Sequence, residues 1–131
     1  MTYATRADLE DRYGLDEIAQ RESMLPAGAV DRALADADME VDSYITGRFA
    51  LPLAPVPVNV ARVAATVARY RLLGEAATEM ARKEYEDARG WLRDVAGGRV
   101  QIEGATPLAA AAPAATVDYV NGRDKAFAGG L

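Results

Sequence analysis

From Ala29 to Thr46 the apolar residues Val30, Leu34, Ala37, Val41, Tyr44 and Ile45 recur at steps of three and four, the spacing that gathers them on one stripe of an amphipathic helix. The opposite face of that helix is strongly acidic. The pattern returns from Val58 to Leu73 with Val60, Val63, Ala64, Val67, Tyr70 and Leu73, closed by Gly74. Its small residues Ala61, Ala64, Ala65 and Ala68 admit a neighbouring helix at close range, so this is expected to be the most buried helix. A third stripe, Ala81, Tyr85, Ala88, Leu92 and Val95, runs from an N-cap at Thr78 to Gly97 and Gly98, with Trp91 beside it. Glu79 with Lys83 and Arg82 with Glu86 are spaced four apart to support it. Two shorter helices precede these. TRADLEDRYG reads as two turns, capped by Thr5, with Asp8 at the third position, Leu9 and Tyr13 on one face and Gly14 as the stop. A second runs from Asp16 to about Arg21 with Leu15 and Ile18 inward, before a turn at Pro26, Ala27 and Gly28.

Between the first and second of the long segments lies a connection that cannot be helix. Gly47 can take the left-handed backbone that ends one helix, and Pro52 and Pro55 block the next until Pro57, which suits a first turn. The result is an elbow populated by Tyr44, Ile45, Phe49, Leu51, Leu53 and Val56. So apolar a connection is expected to be held. Phe49, Leu51, Leu53 and Val56 are the candidate subunit interface, packing on a neighbour or on the subunit's own bundle. Further on, the alternation in Arg99–Glu103 allows a short strand that would need a partner. Gly104 to Leu131 is rich in Ala, Gly and Pro, and its large apolar residues are spaced as isolated anchors. Two readings of Thr116–Val120 stand level: disordered when free, or an arm that orders on another subunit through Val117, Tyr119, Val120 and Phe127. The expected fold is therefore mainly α: a compact bundle of four or five helices with a Pro-rich elbow, a short β segment and an extended C-terminal arm. Residues 1–103 form the helical domain and 104–131 the arm.

Composition narrows the chemistry. The 131 residues are 50% hydrophobic, contain no Cys and no His, and carry a net charge of −5. Without thiol or imidazole the chain has no Cys or His zinc ligand, no Ser-His-Asp triad and no histidine proton shuttle. An enzyme is not expected, nor a cofactor. Residues 1–57 hold five Arg against eleven acids, net −6, and residues 58–131 hold ten Lys and Arg against nine, net +1. The first half should repel nucleic-acid phosphates. No apolar run of membrane-spanning length and no basic-then-apolar leader is seen, so the expected setting is cytoplasmic, without membrane contact.

Three clusters carry tempting chemistry. Asp36, Asp38, Glu40 and Asp42 look like a cation loop, but an EF-hand starting at Asp36 needs Gly where Val41 stands and Glu where Gly47 stands. A solvated acidic face is the favoured reading, with only Asp38 and Asp42 sharing a side. Arg62 and Arg69 on one helix, and Arg82, Arg89 and Arg93 on the next, could make a phosphate-binding row. Glu84, Glu86, Asp87 and Asp94 intervene, which favours ion pairs. The Tyr and Trp residues fall mainly on apolar stripes and read as core before base-stacking platforms.

TRADLEDRYG, the Asp42-Ser-Tyr-Ile block with Gly47-Arg-Phe and Leu51-Pro-Leu, then Val56-Pro57, Ala68-Arg-Tyr-Arg-Leu, and Tyr85-Glu-Asp-Ala-Arg with Trp91-Leu92, taken in order, resemble the neck protein family of Mu-like tailed phages and prophages. The resemblance covers about residues 3 to 103. In the tail, only Arg123, Asp124, Phe127 and the final Gly-Gly-Leu echo the family's ending. The resemblance implies a virion structural protein: a head-completion or head–tail connector (adaptor) subunit of the neck, made in the bacterial cytoplasm. Such subunits form a homo-oligomeric ring, commonly a dodecamer. The implied partners are the portal protein and the next neck or tail-terminator protein, and genome DNA passes through the ring without tight binding. The alternative is a stand-alone bacterial helical module binding an acidic protein partner through its Arg rows. A small carboxylate hydrolase is a distant third.

Overall fold

The computed structural model describes residues 2–108, and the arm residues Val117, Tyr119, Val120 and Phe127 lie outside that range. Within it the fold is mainly α, with five α-helices: α1 (Arg6–Tyr13), α2 (Leu15–Ser23), α3 (Ala29–Ile45), α4 (Val58–Leu73) and α5 (Glu79–Ala96), a single 3-10 turn (Gly74–Ala76) joining the last two. Local chemistry sets the boundaries. Thr5 Oγ1 accepts from the Asp8 N–H while the Asp8 carboxylate accepts from the Thr5 N–H, a reciprocal capping box that starts α1. Gly14, at φ 99°, ends α1 and opens α2 in one residue, a backbone region that residues with a Cβ rarely enter. Thr78 caps α5 through the Ala81 N–H.

α3 and α4 form the most extensive helix pair, and α5 packs across both. Seven residues of each are buried, including Val30, Val41 and Ile45 on α3 and Val60, Ala64, Ala65, Val67 and Ala68 on α4. The alanines keep the α3–α4 seam thin enough for Ala88, Leu92 and Val95 of α5 to close the core. α1 and α2 pair with each other on the side, each contributing one buried residue, Leu9 and Ile18. Polar ties do the rest. Arg6 is forked onto Glu22 at 2.9 and 2.6 Å and bonds Glu10 at 3.0 Å. Arg21 Nε donates to the Leu72 carbonyl at 3.0 Å, one of the acceptors that the end of α4 leaves open.

Three expectations are corrected. Leu15 does not point inward: it is 61% exposed, because α2 is anchored by Ile18 and by the carboxylates Glu17 and Glu22 rather than by an apolar stripe. The supporting pairs on α5 are three apart, Glu79 with Arg82 and Glu86 with Arg89, not four. No strand forms at Arg99–Glu103; that stretch is turn and coil.

The acidic run on α3 is not a solvated face either. Tyr3, only 5% exposed, folds back over α3, its N–H donating to Asp38 at 2.8 Å and its hydroxyl to Asp42. Glu40 takes both the Arg71 guanidinium and the Tyr85 hydroxyl, so it joins α3, α4 and α5 at one point. Tyr85 in turn stacks on Tyr70, ring centroids 4.2 Å apart. Burial, and then the bond to Asp42, pushes the Tyr3 hydroxyl up to about 12; burial and the bond to Glu40 do the same for Tyr85. Because both folded pKa values are raised above the free value of about 10, this stabilisation is whole below pH ~10 and is lost as pH rises towards ~12. Urea midpoints measured from pH 9 to 12 should therefore fall steeply for the parent and less steeply for a Tyr3→Phe, Tyr85→Phe double variant. Parallel profiles would contradict this origin.

Candidate interaction surface at the elbow

The elbow between α3 and α4 starts with a tight turn, the Ile45 carbonyl accepting from the N–H groups of Arg48 at 3.0 Å and Phe49 at 3.3 Å. That turn aims Phe49 inward, and the following prolines, with cis peptides at Leu51–Pro52 and Ala54–Pro55, bring Leu53 in behind it. Phe49 is 5% and Leu53 2% exposed. These two expected interface residues belong to the subunit's own core. Leu51 and Val56 are half-buried at its edge.

After α5 the chain comes back to this same end. Asp94 holds the reversal, its carbonyl accepting from the Arg99 and Val100 N–H groups and its carboxylate from Arg99 Nε at 3.0 Å. Ile102 then plugs into the core, and the Ala50 N–H donates to the Thr106 carbonyl at 2.9 Å while the Leu108 N–H donates to the Arg48 carbonyl at 3.1 Å. An isolated antiparallel bridge between Phe49 and Pro107 results. So the extended pairing that the alternating segment asks for forms a few residues later, with the elbow as its partner. Gly98, at φ 79°, lies under the Arg48 guanidinium, which occupies the space a Cβ would need.

This end of the molecule presents Leu51 and Val56 together with Val58, 77% exposed, and Leu108, 39% exposed. The last two went unread in the sequence. Val58 carried a usable signal: at 100° per residue it stands roughly 200° round α4 from Val60, off the buried stripe. Leu108 carried none.

The arginine rows resolve mostly into structure. Arg69 is forked onto Glu17 at 2.9 and 3.0 Å, reaches Glu84 at 3.4 Å and lies 4.2 Å over the Tyr13 ring, tying α1, α2, α4 and α5 together. The bond to Glu17 raises its pKa further. Arg82 and Arg89 pair on their own helix. Among the described residues Arg12, Arg62 and Arg93 make no ion pair. Arg12 and Arg62 line one rim of a groove of about 710 Å³ between α1, α4 and α5; Glu84 and Asp87 line the other, and Val63, Ala88 and Trp91 form its floor. Among the described residues no His, Cys, Asp or Glu cluster is arranged to hold a metal ion, and no helix is long and apolar enough to cross a membrane.

The family described as "Bacteriophage Mu, Gp36" matches residues 3–120 of the chain. The chain is similar to the Mu-like prophage FluMu protein gp36 of Haemophilus influenzae, 38% identical over 105 residues, covering 76% of this chain and 74% of that protein. It is similar, too, to gene product J of Escherichia phage Mu, 37% identical over 105 residues with the same two coverages.

Proposed function

The chain belongs to the bacteriophage Mu Gp36 family, and from that membership we propose that it is a non-enzymatic head–tail connector subunit of the particle's neck. In this reading copies assemble laterally into a ring below the portal protein, commonly of twelve, and the ring continues the DNA channel towards the next neck or tail-terminator protein. What supports the reading beyond kinship is the elbow end, where Leu51, Val56, Val58 and Leu108 leave apolar side chains at a rigid, backbone-paired edge. An edge of this kind suits burial against a neighbouring copy. The net charge of −5 suits a channel wall that lets DNA move without holding it.

Electron microscopy of the purified full-length protein, and of particles carrying it, tests the proposal directly: rings are expected, and a monomer near 14.0 kDa at every concentration would contradict it. Leu51→Asp should abolish ring formation while helical content stays as in the parent, since the side chain is only half-buried and its neighbours Phe49 and Leu53 still fill the core. Rings formed by that variant would remove the elbow from the interface. Binding to duplex DNA should be negligible at physiological salt, because the acidic first half opposes phosphate and half of the described arginines already have carboxylate partners. A salt-dependent complex in the micromolar range would instead favour a stand-alone binding module.

A further inference from the structure

We propose that the groove between α1, α4 and α5 is the seat of the segment Val117–Lys125 of the next copy in the ring. This rests on the connector reading, because a ring closes through a heterologous contact, which needs two different surfaces on one chain that fit each other. The groove supplies one. Its rims are of opposite sign, Arg12 and Arg62 on the α1 and α4 side and Glu84 and Asp87 on the α5 side, over a floor containing Val63 and the half-buried Trp91. The segment supplies charges of both signs beside apolar anchors: Asp118 between Val117 and Tyr119, then Arg123 and Lys125. Asp118 thus faces the arginine rim, Tyr119 lies on Trp91, and Arg123 and Lys125, two apart, meet the carboxylate rim, while Asp124 between them is left to the opposite side. The reach suffices for an adjoining copy. Eight residues, 109 to 116, separate Leu108 from Val117, so the segment can begin up to about 30 Å from Leu108, close to the roughly 35 Å width of a compact unit this size.

Trp91 is the chain's one tryptophan, so its emission reports the groove alone. Full-length protein should show concentration-dependent association in sedimentation velocity, with a blue shift of Trp91 emission along the same curve. Tyr119→Ser and Arg62→Glu should each weaken association about tenfold or more. Adding Asp118→Arg to Arg62→Glu should restore most of the loss, which a variant that had merely misfolded would not show. Rings that form equally well in Tyr119→Ser and Arg62→Glu would overturn the groove and leave the connector standing. An emission shift independent of concentration would overturn it in favour of the chain's own tail as occupant. A protein that stays monomeric yet shifts Trp91 emission on adding a synthetic Thr116–Lys125 peptide would support the groove and sink the ring; no response in either assay would sink both.

Discussion

Leu53→Asp is expected to leave the chain unfolded at neutral pH, although Leu53 sits in a proline-rich connection rather than in a helix. At 2% exposure the new carboxylate would have to be buried without a cation partner, a penalty of several kcal/mol. The lost leucine burial adds about 1.5–3 kcal/mol. A domain of this size is stabilised by about 5–15 kcal/mol in all, so the sum removes most or all of it. Circular dichroism at 222 nm decides the matter: native helical signal with an unchanged urea midpoint would show that the elbow does not close the core. The contrast with Leu51→Asp, two residues earlier and half-buried, separates the inward from the outward half of the elbow.

The second large effect belongs to Leu92→Ala. The buried residues of α5 are Ala81, Ala88, Leu92 and Val95, so Leu92 is its largest side chain in the core, and it is 0% exposed. Truncation leaves a cavity that the close-packed core around it fills only in part. The expected cost is about 2–5 kcal/mol, or a fall in melting temperature of roughly 8–40 °C at about 4–8 °C per kcal/mol. Leu92→Met, close in volume, should cost less than about 1.5 kcal/mol. Equal melting temperatures for the Ala and Met variants would mean that α5 is not anchored there.

What could be read in advance follows from how local each cause is. Thr5, Gly14, Gly74 and Thr78 act within a turn of themselves, so the helix limits were legible; Val58–Leu73 matches residue for residue. The stripes of α3, α4 and α5 were legible because one large buried face imposes its period on the sequence. Long-range polar partners were not. Tyr3 lies 35 residues from Asp38 and Glu40 45 from Tyr85, and no spacing rule connects them. Hence the α3 carboxylates read as solvated when three of them are committed to partners. The elbow was legible as a held connection, yet not as a divided one, since whether Phe49 or Leu51 turns inward depends on the turn at Ile45 and on the returning Thr106–Leu108. The groove went unread because Arg12, Arg62 and Trp91 come from three helices.

The return of the chain to the elbow also has a mechanical side. The described chain ends at Leu108, on backbone bonded to Arg48 and Ala50, and not at the free end of α5. Tension on the tail is therefore taken first by those two hydrogen bonds and the Phe49–Pro107 bridge, with Ile102 seated in the core behind them. The pull reaches the junction of α3 and α4, the most extensive helix pair, before it can peel the last turn of α5. The arrangement works as strain relief on a cable: a tugged tail loads the middle of the bundle, and α5 stays wound.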